Sequence, residues 1–579
     1  MSRHLAFRRQ PVDPQMAQRH QAMTMPAPTR GWVESENFAF MQPGAAVVLD
    51  NWLPTLRGVR LRGGSKRWCE LPPAPVISGF EYISGYWQKM FAGQETELYD
   101  VTAPDTPVLV KGGQTSGNYS TAQLANAADE WLIAVNDAAD PVLRYDGTTW
   151  EVLDASLPTP PSNLFTGPGG IPQAPLAYVW KYRNRLFFIE ANSMNAWYAG
   201  INSVGGELNI IPLSGAATKG GKLLFGASWS IDAGDGIDDK CVFVTDLGEC
   251  LIFTGSNPGD PNNWRQEGRY QIPPPMGMNA HIAIGGDLLI ATVEGIIPVS
   301  KAITKTGTEL QLSAITQNIN RAWRDEAIEK REYHWSLKKW DEFGGLFVAA
   351  PGSRANRYWS FAANSVSLAW CRIVGWDVWC WLRLRGDLFF GTRDGLIMQA
   401  DRGGYDDIDH ERKTYVASLV GGWSLFQNHA QTSVWHQARA TFASRAAQPF
   451  IPQLAACTDY IIKLPTPPPV GPDPGVRDVW DEGLWWGVKP ALPIDPTADP
   501  PVFGRPEPPA KDTPEWASHA KWDQPASGIV PVRNTQWVSI GATGYSHAPV
   551  VQVQVGQQAK PDVELIAIDC TFERAGVNV

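Results

Sequence analysis

The feature that most constrains the fold is a two-stranded pattern that recurs along residues 89–398. In each copy a short apolar strand is followed by a turn and then by a second strand of alternating character. Two of the turns, Glu294-Gly295 and Asp394-Gly395, supply the glycine that tight hairpins need at positive φ. Copies of the pattern begin at residues 89, 131, 186, 241, 288, 346 and 388.

The spacing of these hairpins favours radial closure. Successive copies begin 42 to 58 residues apart, and a four-stranded propeller blade takes roughly 40–50 residues. One hairpin cannot bury both of its faces, so neighbouring copies must stack, and closure into a disc leaves no long strand edge exposed. We therefore predict an all-β protein with a β-propeller of six or seven blades over residues 76–405, with one exposed helix over the charged residues 320–331. The alternative is an irregular pair of β-sandwiches with loosely similar hairpins.

The rest of the chain is divided into an arm, an N-terminal segment and a C-terminal domain with an insertion. Residues 1–30 are predicted to be a flexible arm, and residues 31–75 an N-terminal β segment that contacts neighbouring chains. Residues 406–463 and 530–579 resume strand character, and we expect them to form one additional β-rich domain. The intervening residues 464–529 are rich in Pro and Trp, which is unusual for a plain linker. We interpret them as an extended arm or insertion that packs on a neighbour.

The composition agrees with many short strands and excludes several classes of function. The 54 Gly and 47 Pro residues indicate frequent turns, and the 26 Trp residues suit sheet faces and chain–chain interfaces. A net charge of −10 argues against a general nucleic-acid coat. The seven cysteines form no C-x-x-C pair, which suggests free buried thiols in a protein that folds in a reducing cytoplasm. We find neither a signal peptide nor an apolar run long enough to span a membrane.

No motif in the sequence points to catalysis, a cofactor or a metal. The acidic cluster Asp232–Asp239 misses the spacing of a calcium-binding loop and is interpreted as a solvated turn. Asp146–Trp150 approaches the Asp box of sialidase-like glycosidases, but its Gly directly follows the Asp, and a hairpin turn with a packing Trp explains it. We therefore expect no enzyme and no cofactor, although carboxylates that pair only in the folded chain leave no sequence signal.

A segment near the N-terminus carries a resemblance to a known family. Gly31-Trp32 is followed by Asn51-Trp52-Leu53-Pro54 and then by Arg60-Leu61-Arg62-Gly63-Gly64. This opening Gly segment, N-W-x-P turn and R-x-G strand end resemble the N-terminal signature of bacteriophage tail nozzle proteins of podovirus-type tails, also called tail tubular proteins of the B kind. The rest of the chain is similar to that family only in its hairpin texture.

The resemblance implies a structural protein of the virion tail that is assembled in the cytoplasm of the bacterial host. It implies a homo-hexameric ring below the portal and adaptor proteins, with tail fibre or spike proteins docked on the ring. Genomic DNA would pass through the lumen without sequence recognition, and an acidic bore would keep the sliding duplex from sticking. The alternatives are a receptor-binding or fibre-associated tail protein and, less favoured, a propeller glycosidase.

Candidate interface residues lie in two parts of the chain. Arginines and large aromatic residues are enriched at protein interfaces, and the resemblance gives the N-terminal segment an assembly role. The residues we predict to contact neighbouring chains are Asn51, Trp52, Pro54, Arg57, Arg60, Arg62, Trp480, Trp485 and Trp486.

Overall fold

The computed structural model describes residues 20–34, 37–85, 88–170, 174–230, 239–352, 358–408, 411–426, 431–444, 450–471 and 532–574. Strands predominate throughout these residues. The α-helices among them are α1 (Val299–Thr304), α2 (Gly307–Gln311) and α3 (Asn320–Glu329). No helix of the described residues has the length and apolar character needed to cross a membrane. The predicted acidic positions Asp232, Asp235 and Asp238 lie outside the described residues.

The strands follow one another closely along the chain. The N-terminal strands are β1 (His20–Pro26), β2 (Gly31–Trp32), β3 (Ala45–Asp50), β4 (Trp52–Pro54), β5 (Val59–Leu61) and β6 (Lys66–Glu70). The next group is β7 (Val76–Ile83), β8 (Gln88–Gln94), β9 (Glu97–Asp100), β10 (Val108–Lys111), β11 (Tyr119–Ala125), β12 (Glu130–Asn136), β13 (Val142–Tyr145), β14 (Trp150–Leu153), β15 (Phe165–Thr166), β16 (Leu176–Tyr182), β17 (Arg185–Glu190), β18 (Asn195–Tyr198), β19 (Gly206–Glu207) and β20 (Asn209–Pro212). They are followed by β21 (Leu223–Trp229), β22 (Lys240–Thr245), β23 (Glu249–Gly255), β24 (Trp264–Gln271), β25 (His281–Ile284), β26 (Asp287–Thr292), β27 (Gly295–Pro298), β28 (Ser336–Trp340), β29 (Gly345–Ala349), β30 (Trp359–Asn364), β31 (Trp370–Val374), β32 (Cys380–Leu384), β33 (Asp387–Gly391) and β34 (Leu396–Gln399). The C-terminal strands are β35 (Asp406–Ile408), β36 (Glu411–Lys413), β37 (Tyr415–Gly421), β38 (Ser433–Ala443), β39 (Pro452–Thr458), β40 (Val532–Asn534), β41 (Val538–Gly544), β42 (His547–Val555) and β43 (Glu564–Arg574).

Seven antiparallel sheets form a β-propeller. Blades 1 to 4 are β7–β10, β11–β14, β16-β17-β18-β20 and β21–β24, and blade 5 is β25–β27. Blade 6 is β28–β31, and blade 7 is β32-β33-β34 with β6. The first strands of neighbouring blades pack together, and β32 of blade 7 packs against β7 of blade 1, which closes the circle. The prediction of an all-β propeller is confirmed, and the blade number is seven.

The seven recurrent hairpins are the second and third strands of the seven blades. Apart from β27, which ends the three-stranded blade 5, these strands lie between two neighbours within their own sheet, and their central positions are mostly buried and apolar. The strand β29, for example, is buried at every position. The first strand of blade 1 instead alternates between buried and half-buried positions, because its free edge faces the axis. This weaker pattern is why the hairpins stood out in the sequence and the inner strands did not.

Blade 7 takes its outer strand from the N-terminal part of the chain. The strand β6 pairs antiparallel with β34, from Leu396 opposite Glu70 to Gln399 opposite Lys66. The predicted boundaries therefore need correction, since the propeller begins at Lys66 rather than at residue 76. Residues 31–75 do not form one segment, because β2 to β5 join other sheets. The first strand of the propeller in sequence thus pairs with the last one, β34, within one blade. This leaves no unpaired edge on β34 and holds the ring of blades closed.

The remaining strands build a β-sandwich that shares a sheet with blade 6. One sheet runs from blade 6 outward in the order β28-β29-β30-β31-β2-β3-β37-β42-β39. The facing sheet has the order β4-β5-β43-β38-β40, with β1 paired to β43 and β41 paired to β38. One apolar core extends over both sheets and includes Leu49, Trp435 and Val551. Strands of residues 415–458 and 532–574 do share these sheets, together with N-terminal strands.

Two sequence expectations differ from the structure at the level of single elements. Residues 20–26 were assigned to the flexible arm, but they form β1, which pairs with β43 from His20 opposite Glu573 to Pro26 opposite Ala567. The buried side chain of Met25 anchors this strand. The predicted helix at 320–331 is present as α3 and its charged face is exposed, but its other face is not, because Trp323 and Ala327 are buried against the blades.

Candidate functional site

The predicted interface residues lead to a buried polar cluster between the propeller and the sandwich. We call it the arginine junction and define it by Asn51, Arg60, Arg62, Asp401 and Asp406. The chain passes through it between β5 and β6, where it leaves the sandwich and enters blade 7. The two aspartates follow β34, at the point where the chain returns from blade 7 to the sandwich. The junction therefore joins both crossings between the two domains.

Arg62 lies at the centre of the junction and is fully buried. Its Nη1 and Nη2 donate to the two carboxylate oxygens of Asp406 at 2.9 and 2.8 Å. The guanidinium carbon lies 4.6 Å from the ring centroid of Trp376 and 3.7 Å from that of Tyr415. Burial acts to lower the pKa of Arg62, but the charge and hydrogen bonds of Asp406 outweigh it and the pKa is raised. The arginine is therefore charged, and it is held between two aromatic rings.

Asp401 forms a second set of ion pairs at the same junction. Its carboxylate accepts from Arg60 Nη2 at 3.1 Å, from Lys560 Nζ and from the backbone N–H of Gly63. Burial favours the neutral carboxyl, yet the charges of Arg60 and Lys560 overcome this and lower the pKa of Asp401. Since Lys560 belongs to the chain just before β43, this carboxylate connects blade 7 with the far end of the sandwich.

Asn51 connects three segments through its side-chain amide. Its backbone has a φ of 62°, a left-handed conformation that Asn tolerates better than most residues. Its Nδ2 donates to the carbonyl of Val416 at 2.8 Å, and its Oδ1 accepts from Arg62 Nε and from the N–H of Val374, at 2.8 and 2.9 Å. The turn predicted at Asn51 is thus built to join β37, β31 and the arginine junction.

The interface prediction needs correction for four of the N-terminal residues. Asn51, Trp52, Pro54 and Arg62 are buried inside their own chain, so their side chains have no surface left for a neighbour. Aromatic and cationic side chains are suited both to a buried junction within one chain and to an interface between chains. The sequence alone therefore did not distinguish a buried role from an interface role. For Arg57, which is exposed at the turn between β4 and β5, an interface role stays a prediction.

The remaining predicted interface residues are Arg60 and three tryptophans. The side chain of Arg60 is 21% exposed and is engaged by Asp401, so its interface role also stays a prediction. Trp480, Trp485 and Trp486 lie outside the described residues.

Sequence reasoning missed the partners that complete the junction. Asp406 is separated from Arg62 by 344 positions, and Asp401 from Arg60 by 341. Neither aspartate belongs to a motif. The one usable signal was the pair Gly63-Gly64, because glycine suits a close approach of two backbones. A Cβ at Gly64 would lie 1.9 Å from the carbonyl oxygen of Tyr405, so the glycine permits the two crossings to touch.

A second candidate site is the cavity on the propeller axis, which encloses about 290 Å³. We call it the axial cavity. Its walls are the first strands of six blades and the turns before them. The lining consists of residues 77–81, 118–121 and 334–338 together with Tyr178, Asn279, His281, Cys380 and Trp381. Most of these groups are polar, which makes the cavity suited to water or to a small polar molecule.

One wall of the axial cavity is a hydrogen-bonded network centred on Asn118. Its Nδ2 donates to Asp137 Oδ2 at 2.9 Å and lies 2.9 Å from His334 Nδ1. Its Oδ1 accepts from Asn279 Nδ2 at 2.9 Å. The side chain of His334 is 41% exposed, so this network lies where the cavity meets the surface.

His281 lines a deeper part of the axial cavity. Its ring stacks on Phe225 at a centroid distance of 4.2 Å, which links blades 4 and 5. Its Nε2 lies 3.3 Å from the hydroxyl of Tyr178. Burial lowers the pKa of His281 to about 4, so the imidazole is neutral at neutral pH and serves packing and hydrogen bonding. In the part of the chain described by the structure, no group of three His, Cys, Asp or Glu residues is arranged to hold a metal ion.

A smaller cleft of about 190 Å³ lies between α3 and blades 6 and 7. Its most perturbed carboxyl is Asp377, whose pKa burial raises to about 6. Glu326, on the opposite wall, forms an ion pair with Lys330 at 2.7 Å. Among the four carboxyl groups that line the cleft, burial favours the protonated form of Asp377, and Glu326 is held by a cation.

No family model and no curated protein matches this chain. Solved structures are similar to it over the propeller. YCF48 from Cyanidioschyzon merolae is 11% identical with a TM-score of 0.33, and 58% of this chain and 98% of that one are covered. Sqt1 from Saccharomyces cerevisiae is 10% identical with a TM-score of 0.34, covering 62% and 97%. The β-propeller domain of Cps50 (Swd1) from Myceliophteria thermophila is 10% identical with a TM-score of 0.35, covering 58% and 99%. The strand pairings themselves define the class of this protein, a seven-bladed β-propeller joined to a β-sandwich.

Proposed function

We propose that this chain is a structural subunit of a bacteriophage tail and that it forms the nozzle ring below the portal and adaptor proteins. The observation that carries the proposal is the nine-stranded sheet that runs from blade 6 into the sandwich. Main-chain hydrogen bonds across β31, β2 and β3 connect the two domains, so a force on one passes to the other without crossing a linker. A subunit that bears load during DNA ejection needs such a connection.

The arginine junction supports the same role. It fixes both chain crossings between propeller and sandwich with buried ion pairs, which favour one geometry over others. The resemblance of residues 31–64 to nozzle proteins adds an independent argument. In the proposed ring six copies close by heterologous contacts, with the sandwich towards the lumen and the propeller outside, where fibre or spike proteins dock. The net charge of −10 disfavours adhesion of the passing DNA.

The turn between β4 and β5 is the part of the resembling segment that remains available for a neighbour. Leu56 is 67% exposed and Arg57 follows it on the surface. Both residues extend from strands anchored by the buried Trp52. An exposed apolar side chain beside a guanidinium on a firmly anchored turn is well suited to contact the next subunit or the adaptor.

Light scattering after size exclusion tests the proposal. The full chain, alone or mixed with the adaptor protein, is expected to form rings of six. The double variant Leu56→Glu/Arg57→Glu is expected to shift this population to monomers, because it places two negative charges in the contact. Ile201→Glu, a change at a propeller residue that is 64% exposed, is the matched control and should leave the rings intact.

Other outcomes would support the alternatives. Strict trimers would favour a receptor-binding or fibre-associated protein. Release of reducing ends from host polysaccharide, abolished in Asp377→Asn, would make the protein a glycosidase and overturn the structural proposal. Electron microscopy of the particle, with the subunit located by a labelled copy, would establish directly where the protein lies.

A further inference from the structure

The axial cavity contains a cation that has no direct counter-charge. Lys338 lies on β28 and lines the cavity. In the part of the chain that the structure describes, its ammonium forms no ion pair, whereas the adjacent Lys339 lies 2.6 Å from Asp341. An ammonium group carries three hydrogen-bond donors and no acceptor. The ammonium of Lys338 therefore still needs a hydrogen-bond acceptor, and a negatively charged acceptor would also balance its charge.

The carboxylate of Glu81, which acts electrostatically on Lys338, is already paired with Arg383. Arg383 Nη2 lies 2.8 Å from Glu81 Oε1, and its Nη1 lies 2.8 Å from Asp341 Oδ2. Burial lowers the pKa of Lys338, the charge of Glu81 opposes this, and the charge of Arg383 adds to it. The ammonium thus remains poorly compensated in a partly buried position, which a protein tolerates more readily when a ligand supplies the missing charge.

The surroundings of Lys338 select the kind of anion. Ser336 lies two residues earlier on the same strand and hence on the same face, and its buried hydroxyl has no hydrogen-bond partner among the described residues. A small rotation of that hydroxyl would add a second donor to the site. Glu81 also lines the cavity and repels a doubly charged phosphate more strongly than a singly charged carboxylate, whose charge matches the one unpaired ammonium.

We propose that the axial cavity binds a small carboxylate, with Lys338 as the cationic anchor. The cavity volume of about 290 Å³ accommodates an organic acid of several carbon atoms. The carboxylate arrives either as a free organic acid or as the side chain of a bound acidic peptide that enters beside His334. This site does not depend on the proposed tail function, since it requires only the geometry of the propeller axis.

Calorimetric titration of the full chain with sodium acetate tests the site, and acetamide serves as the neutral control of the same shape. Acetate is expected to bind at least tenfold more tightly than acetamide. Lys338→Met should lose that tenfold preference. Lys338→Gln, which keeps a polar side chain, is the second variant in case Lys338→Met folds poorly, and it should lose the preference as well. The control Lys339→Met should retain it, because that ammonium is already paired with Asp341.

A blocked tripeptide with a central Glu, compared with its Gln counterpart, distinguishes the two sources. Binding of the Glu peptide supports a partner side chain, and binding of acetate alone supports a free acid. Equal affinity of acetate for the wild-type chain and Lys338→Met would overturn the proposal. Failure of acetate to bind more tightly than acetamide would overturn it too, and neither result would affect the oligomeric state that tests the tail function.

Discussion

At the scale of single residues, the arginine junction shows how one buried charge can define the joint between two domains. Transferring Arg62 out of water is costly, and only good geometry with Asp406 offsets this cost. The bidentate pair at 2.8 and 2.9 Å and the two flanking rings provide that geometry. Such a pair adds little net stability, but it penalises any arrangement in which the partners fail to meet. We interpret it as a device for specificity.

Arg62→Met is expected to lower the free energy of unfolding by about 3–5 kcal/mol, because it leaves Asp406 buried without its counter-charge. The double variant Arg62→Met/Asp406→Leu should recover much of this loss, since neither charge then remains buried. Urea unfolding followed by tryptophan fluorescence measures both. Arg57→Met, at an exposed position, is the control and should change the free energy by less than about 0.5 kcal/mol. A loss below about 1 kcal/mol for Arg62→Met would contradict this account.

At the scale of elements, the decisive strand is β6. It supplies the outer edge of blade 7 although it precedes every other strand of the propeller. Its side chain Cys69 is fully buried and belongs to an apolar cluster that includes Ile397 of blade 7 and Val76 of blade 1. Blade 7 in turn packs against blade 1 through β32 and β7. The closure of the circle therefore depends on one five-residue strand.

Cys69→Asp is expected to destabilise the protein by about 4 kcal/mol or more, because it buries an unpaired carboxyl in the closing blade. Lys66→Asp, at an exposed position of the same strand, should change stability by less than about 0.5 kcal/mol. Thermal unfolding followed by circular dichroism compares the two variants. Similar losses in both would mean that the surface charge of β6, rather than its burial, holds blade 7 closed.

The strands of this protein show which elements a sequence reveals. The central hairpins were recognisable because their strands are rich in apolar residues and several of their turns carry Gly. The inner strands, half exposed to the axis, and the short strand β6 carry no such signature. The same holds for the candidate sites. The turn at Asn51 was predictable from its local chemistry, whereas Lys338 in the axial cavity resembles any lysine of an amphipathic strand.

At the scale of the whole molecule, blades 5 to 7 of the propeller and the sandwich share one hydrophobic cluster. A single cluster of buried side chains includes Trp323 next to blade 5, Phe361 of blade 6, Trp381 of blade 7 and Trp435 of the sandwich. Together with the continuous sheet, this core leaves no boundary along which one domain could separate cheaply. We therefore expect the two domains to unfold together.

The seven free cysteines report on this cooperativity, since all are buried. Burial raises the pKa of Cys250 in blade 4 and of Cys570 in the sandwich to about 12, so neither thiol reacts as a thiolate at pH 8. In increasing urea, a chromogenic disulfide reagent is expected to label both at the same midpoint. Mass spectrometry of the labelled peptides separates them. Labelling of Cys570 at a clearly lower urea concentration than Cys250 would show that the sandwich unfolds independently.

The sequence by itself determined the all-β class and the seven hairpins, because short apolar runs and turn glycines are local properties of the chain. Only the tertiary structure decided that β6 closes blade 7 and that Arg62 lies inside the chain rather than at an interface. The partners in both cases are more than 300 positions apart in the sequence, and Arg62 and Asp406 are separated by 344. A contact between such distant residues depends on how the sheets pack in space, and it leaves no periodic pattern along the chain.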